Sequence, residues 1–329
     1  MLHILNGDAA AELVRHSDVG GVVVPWRESL MTGPTPEGLP LTQWIDIRTK
    51  HLSEAYEADP DHCRYDLQRQ IESLHSFIDH EEVILWFDRD LFCQVNLWYL
   101  LHWFSTRKHE SVRLSIVGLE KHPDLHLQSG IGSLDSKSMR AFFDQRTPLT
   151  DAHLALGSRA WIAYCSPDPM TLERAVDFNT SALPFVKDVL LRHLERFPST
   201  RNGLGRIENR ILELLSTGCV SFNEVYEGIS NNDTDGLGDY QCWAELKRLA
   251  GGATPALKMV GLEKETFPLR SGRFREASFQ LTHFGKALFK READWIEING
   301  IDHWLGGVHL NRKNGIWRWD EEGRFLLRT

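Results

Sequence analysis

Along the first 120 residues, short apolar runs alternate with longer amphipathic stretches. LHIL (2–5), VGGVVVPW (19–26), VILWF (83–87) and VRLSIVGL (112–119) read as strands, the second so rich in valine that burial on both faces is expected of it. Between them, AAAELVRH (9–16), residues 41–57, residues 65–79 and LFCQVNLWYLLHWF (91–104) read as helices. In the third of these, Leu67, Ile71, Leu74 and Ile78 recur at i, i+4, i+7 and i+11, which marks one buried face. Strand–helix alternation predicts a doubly wound parallel sheet with helices on both faces, interrupted here by a long helical insert before the third strand.

From 131 to 197 the pattern is helical, with segments at 133–145, 171–176 and 184–197, and FPSTRNGLG (197–205) carries the turn residues of a linker. Beyond it, RIENRILELL, SFNEVYEGI and DYQCWAELKRLA predict three helices, the second opened by the S-x-x-E spacing of a capping box at Ser221 and Glu224. Residues 255–260 and 276–282 read as two strands around a polar tip, followed by a helix at 283–290 and a β-meander over 307–327 with Asn314-Gly315 as its hairpin turn. The fold class is therefore α/β: an α/β domain at 1–130, a helical connector at 131–203, and a winged-helix-like domain with a terminal β-meander at 204–329.

Composition narrows the function classes. The 329 residues carry a net charge of −9. That argues against a general affinity for nucleic acid or anionic membrane. The acidity lies in the first two thirds; residues 204–329 hold 17 basic and 18 acidic side chains. Five dispersed cysteines without a C-x-x-C point to reduced thiols. The N-terminus has no basic n-region and the longest apolar run is too short to span a bilayer, so a cytoplasmic location is expected. Of fifteen histidines, only His122 and His126 have a ligand-like spacing, and Pro123 breaks the helix they would need.

The candidate chemistry follows from a rule of open parallel sheets, that ligands bind beyond the carboxyl ends of the strands. The four strands end in Asn6-Gly7-Asp8, Trp26-Arg27-Glu28, Asp88-Arg89-Asp90 and Glu120-Lys121. Asp8, Glu28 and Asp88 are the candidate catalytic or metal-binding carboxylates. Arg27 is the candidate anion clamp, and Asn6, Gly7, Asp90 and Gln94 are candidate substrate contacts. Clustered carboxylates suit Mg²⁺, or one acid with a raised pKa suits general acid–base work. Asp8 and Asp90 also have the plain alternative of capping helices. No Walker loop, G-x-G-x-x-G, G-x-S-x-G or H-E-x-x-H occurs.

LHILNGDAAAELV, VVPWRESLMTGP and VILWFDRDLFCQVNLWYLLHW resemble, in order, the signature blocks of the bacterial family known as domain of unknown function 1835; ADWIEINGIDHWLGGVHL resembles the ends of its longer members. That resemblance implies an α/β fold over about residues 1–125 and no particular activity. The residues therefore predict a hydrolase or transferase acting on a phosphate- or ribose-bearing small molecule. Two alternatives stand beside it. One is a ligand-sensing regulator that reads nucleic acid through the C-terminal unit, with Lys247, Arg248, Lys258, Arg273 and Arg275 forming a basic groove. The other is an interaction scaffold without chemistry. Trp295, Trp304, Trp317 and Trp319 could stack bases or a sugar, although tryptophans at such density more commonly pack cores.

Overall fold

The computed structural model describes residues 1–107, 111–118, 130–218, 220–230, 234–261, 272–313 and 315–329. The chain is a mixed α/β protein with a parallel sheet at its N-terminal end, helices in the middle and small antiparallel sheets towards its C-terminal end. The first part runs β1 (Leu2–Asn6), α1 (Asp8–Arg15), β2 (Val22–Trp26), β3 (Gly33–Pro34), α2 (Leu41–Ala55), α3 (Pro60–His75), β4 (Glu82–Trp86), α4 (Leu91–Ser105) and β5 (Arg113–Val117). The helical part comprises α5 (Ser136–Asp144), the short β6 (Thr147–Pro148), α6 (Asp151–Cys165), α7 (Met170–Ala175) and α8 (Val186–Leu194). Then come α9 (Arg206–Leu214), β7 (Val220–Ser221), α10 (Phe222–Ser230), α11 (Asp239–Leu249), β8 (Leu257–Val260) and β9 (Ser278–Leu281). The chain closes with α12 (His283–Phe289), α13 (Trp295–Asn299), β10 (Asp302–Gly306), β11 (Val308–Asn311), β12 (Trp317–Asp320) and β13 (Phe325–Arg328).

The main sheet has the order β2-β1-β4-β5-β6, with the first four strands parallel and β6 antiparallel to β5. The chain leaves β1 for the edge strand β2 and returns past β1 to form β4, so the direction of winding reverses between β1 and β4. Such a reversal opens a crevice at the carboxyl ends of the two strands.

Side-chain alternation divides the core. Leu2, Ile4, Val83, Leu85 and Leu114 face α4 and the helical layers, while Leu5, Ile84, Trp86 and Val117 face α1 and α5. Helix α4 is apolar nearly all round because the sheet covers one side and α6 and α8 the other. One apolar cluster extends from Leu2 to Leu326, and β3 pairs with β10, so the C-terminal hairpin is stitched to the N-terminal part.

Two local expectations change. β2 is an edge strand with Val22 52% exposed, rather than a strand buried on both faces, which fits the presence of Pro25 in it. Ile78 is 56% exposed because α3 stops at His75 and a 3-10 turn over Ser76–Asp79 rotates Phe77 into the core in its place. Towards the C-terminus the anticipated meander is two separate hairpins, β10–β11 and β12–β13. Glu120, Lys121, His122, His126 and Asn314 lie outside the described residues. No helix among the described residues is long and apolar enough to cross a membrane.

Candidate functional site

The crevice between β1 and β4 collects the ends of two strands and the starts of two helices. Gly7, with φ +85, turns β1 into α1 and donates its N–H to the Trp26 carbonyl at 2.8 Å. No side chain among the described residues caps α1, so its first-turn N–H groups are left at a helix start that favours an anion. A Cβ added at Gly7 would meet open space, so the backbone there is approachable.

Asp8 leads the helix and receives Arg27 in a bidentate pair, with Nε at 2.8 Å and Nη2 at 2.7 Å. The hydrogen bonds from Arg27 hold the Asp8 carboxyl below the usual range, so it is a fixed anion and an unsuitable proton donor. Both groups are exposed, and Arg27 Nη1 has no hydrogen-bond partner among the described residues. The Arg27 N–H donates to Gln70 Oε1 at 2.5 Å, tying the end of β2 to α3.

Across the crevice, Asp88 follows β4 and accepts the Ile131 N–H at 3.1 Å on each oxygen. The residue as a whole is half-buried, and protein surrounds its carboxyl on nearly all sides. Desolvation, reinforced by the neighbouring Asp90 carboxylate, pushes Asp88 up to about 7. The turn at Ile131–Ser133 also reaches α1, since a Cβ at Gly132 would touch that of Ala9. At Gly130 an added Cβ would lie 2.8 Å from Asp88 Oδ2, so glycine there lets the loop close over the acid.

Asp90 is the N-cap of α4, accepting the Cys93 N–H at 2.8 Å. Its own titration is raised by burial. The segment Thr234–Gly236 from the C-terminal part sits on this helix start: Leu91 and Phe92 donate their N–H groups to the carbonyls of Thr234 and Asp235 at 2.8 and 3.0 Å. Gly236 (φ +70) fits where a Cβ would stand 2.1 Å from Asp90 Oδ1. Gln94 donates its side-chain amide to the Asp88 carbonyl at 2.7 Å and so braces the turn between β4 and α4.

Asp88, Asp90 and Cys93 offer three donor atoms within 4.8 Å of one another. Burial and the two acids raise the Cys93 thiol well above its ordinary value, and Asn6 Nδ2 donates to its sulfur at 2.9 Å. A neutral thiol is a poor ligand for a hard cation, so only the two carboxylates suit Mg²⁺. Asn96 fixes Asn6 in turn, donating to its Oδ1 and to the Glu28 carbonyl, both at 2.9 Å.

Glu28 is placed apart from the others. It points into the interior at 1% exposed, paired at 2.6 Å with Arg48, which has no exposed surface at all. Arg48 also donates to the carbonyls of Ser29, Thr32 and Pro34, so this ion pair organises the chain after β2 rather than facing a ligand. Asn6 and Gln94 join the Asp88–Asp90 turn through Cys93 and the Asp88 carbonyl, Gly7, Asp8 and Arg27 meet at the ends of β1 and β2, and Glu28 is turned inward away from both. Sequence reading did not pick out Cys93, Asn96, Arg48 or the Ile131 N–H. For Cys93 the Asp90-x-x-Cys93 capping interval was an available signal, whereas a backbone donor 43 residues away has none.

No family model matches the chain, and no curated protein matches it.

Proposed function

We propose that the crevice between β1 and β4 is the working site of a hydrolase or transferase acting on a phosphate- or ribose-bearing small molecule. The observation that carries this reading is Asp88: a half-buried aspartate at the winding reversal of the sheet, with its titration pushed up to about 7. An acid that exchanges its proton near neutral pH serves as general acid in one step and general base in the next. The uncapped start of α1 and the free Nη1 of Arg27 would receive the anion, Asp8 keeping Arg27 in place. Glu28 has no part in this reading. Membership of the domain of unknown function 1835 family belongs to the same proposal, and it brings no activity with it.

The test is a thermal-shift panel of nucleotides and sugar phosphates, with and without Mg²⁺, on the wild type and Asp88→Asn. A ligand at a hundredfold excess over its Kd stabilises the native state by about 2.7 kcal/mol. The reading expects such a hit, weakened in Asp88→Asn and in Arg27→Gln. A hit that both variants keep would place the ligand elsewhere and overturn it.

One observation favours a second reading, a ligand sensor. Thr234–Gly236 rests on the start of α4 beside Asp90, so it links the crevice to a unit whose elements run helix, strand, helix, helix, strand, strand, with sheet order β7-β9-β8. That arrangement resembles a winged helix, and would make α11 the reading helix. Yet α11 faces the N-terminal part: Gln241 Nε2 donates to Ser29 Oγ at 3.1 Å, Tyr240 packs near Tyr56, and Lys247 pairs with Glu57. Arg248 pairs with Glu208 and Glu245, and Arg275 with Asp239, so the proposed basic groove is largely neutralised. Ligand-dependent, salt-sensitive DNA binding would be needed to raise this reading above the first.

A further inference from the structure

A cavity of about 720 Å³ lies at the opposite end of α4 from the crevice, on the side covered by α2, α3 and α6. Along a rise of 1.5 Å per residue, His102 on its wall is about 18 Å from Asp90. That volume falls within the usual range for small-molecule sites.

Its walls are aromatic. Trp44 stacks on Tyr99 at 5.7 Å with planes 17° apart, Trp161 meets Tyr99 edge-on at 5.2 Å, and Trp103 closes another side. These rings are buried against the core on one side and border the cavity on the other. Tyr99 is only 9% exposed, and its ring borders the cavity.

The charged and imidazole groups on the cavity among the described residues are Arg107, His75, His102 and Glu37. Arg107 lies over the Trp103 ring at 4.8 Å and donates to Thr106 Oγ1, but forms no ion pair with a described residue. His75 meets Trp103 edge-on at 5.3 Å, and His102 bonds Ser158 through Nδ1 at 2.9 Å. Glu37 is the one acidic side chain on the cavity among the described residues, and it sits on the loop before α2. Leu41 and Ile162 form an exposed apolar lip.

We infer that this cavity binds a planar aromatic ring carrying an anionic group: the ring packs against the wall that Trp44, Tyr99, Trp161 and Trp103 form, and the carboxylate or phosphate meets Arg107 with His75 and His102 beside it. An aromatic wall favours a flat ring, and a guanidinium held over an indole without an ion-pair partner among the described residues is placed to receive an oxyanion. This site is independent of the crevice and of the reading given to it.

The probes are 1-naphthoate, 1-naphthyl phosphate and the neutral 1-naphthamide, followed by calorimetry and by quenching of tryptophan fluorescence. The wild type should bind one or both anions about tenfold tighter than the amide. Which of the two binds tighter identifies the anionic group. Arg107→Gln, at an exposed position, should remove that preference while leaving the amide affinity as it was, and Asp88→Asn should change neither. Equal affinity for anion and amide, a preference that survives Arg107→Gln, or no binding by any probe up to about 1 mM would each overturn the inference. So would loss of binding in Asp88→Asn, which would assign the probes to the crevice.

Discussion

Replacing Asp88 by asparagine should stabilise the protein at pH 8 and have little net effect at pH 5. The carboxyl's ordinary value is 3.8, and its surroundings raise it to about 7, chiefly by desolvation and then by Asp90. The folded state therefore holds a proton that the unfolded chain has already released between those values. Stability falls as pH rises through that window, and the full penalty of ionising the buried acid is present above about 7. At 1.36 kcal/mol per pH unit the difference corresponds to about 4 kcal/mol. Because Asp88 is only half-buried as a residue and its titration is shared with Asp90, about 2 kcal/mol is the working figure.

Asparagine keeps the shape and one acceptor oxygen but never ionises. It gives up one of two oxygens that share the Ile131 N–H, at about 1 kcal/mol or less. The expected balance is a gain of about 1–2 kcal/mol at pH 8 that shrinks to about zero at pH 5, where roughly a third of the penalty is already present and offsets the lost hydrogen bond. The assay is urea denaturation of both proteins at steps between pH 5 and 8.5. The subtraction matters because His51, lowered to about 3, and His303, lowered to about 4, impose the opposite slope on both proteins. Their folded forms resist protonation, so stability is lost as pH falls below about 6.5, equally in wild type and variant. Parallel stability curves for the two proteins across that range would refute the account of Asp88, and with it the acid–base role.

Two further outcomes follow from the interior. Glu28→Ala should cost about 3–5 kcal/mol by stranding Arg48 in the core, and Glu28→Ala with Arg48→Met should recover part of that, both read by denaturant midpoints; a loss under about 1 kcal/mol would mean that the pair is not buried as described. His193 has no hydrogen-bond partner for either ring nitrogen among the described residues, lies 4.6 Å from Tyr164 between ring centres, and is held neutral by burial well below its ordinary value. His193→Phe should therefore raise stability by about 1 kcal/mol at neutral pH and by more as pH falls below about 6.5, so a variant whose advantage does not grow in acid would contradict it.

Local pattern made much of the fold legible, and the losses have identifiable causes. The strands at β1, β4 and β5, and α4 between them, are strong because an apolar run bounded by polar residues has few alternatives. α6 was not marked, since DAHLALGSRAWIAYC is apolar around most of its circumference and lacks a single stripe. Its Gly157 reads as a breaker but serves to bring α6 against Leu101 of α4, where a Cβ would stand 2.4 Å from Leu101 Cδ1. Glu28 is the informative failure at the site. It follows β2 directly and is charged, so sequence position puts it on the ligand edge; its partner Arg48 lies on another helix, and only the three-dimensional pairing turns it inward. Asp8 and Arg27 differ from it because their pair stays at the surface of the crevice.

The arrangement of the C-terminal part bears on which reading of the crevice is stronger. A unit that reads nucleic acid needs its second helix of the motif free to enter a groove. Here that helix is held by Ser29, Tyr56 and Glu57, the first two of which also share the hydroxyl network of Thr32 beside the Glu28–Arg48 pair. To expose α11 the protein would have to break these contacts together with the Thr234–Gly236 seat on α4 and the β3–β10 pairing. A ligand could drive such a release only by binding the open state more tightly by the whole of that difference. An enzyme needs no such change: the same contacts then simply hold Asp90 and the start of α4 in place beside Asp88. Proton exchange at Asp88 asks for no such opening, and that is the ground for preferring it.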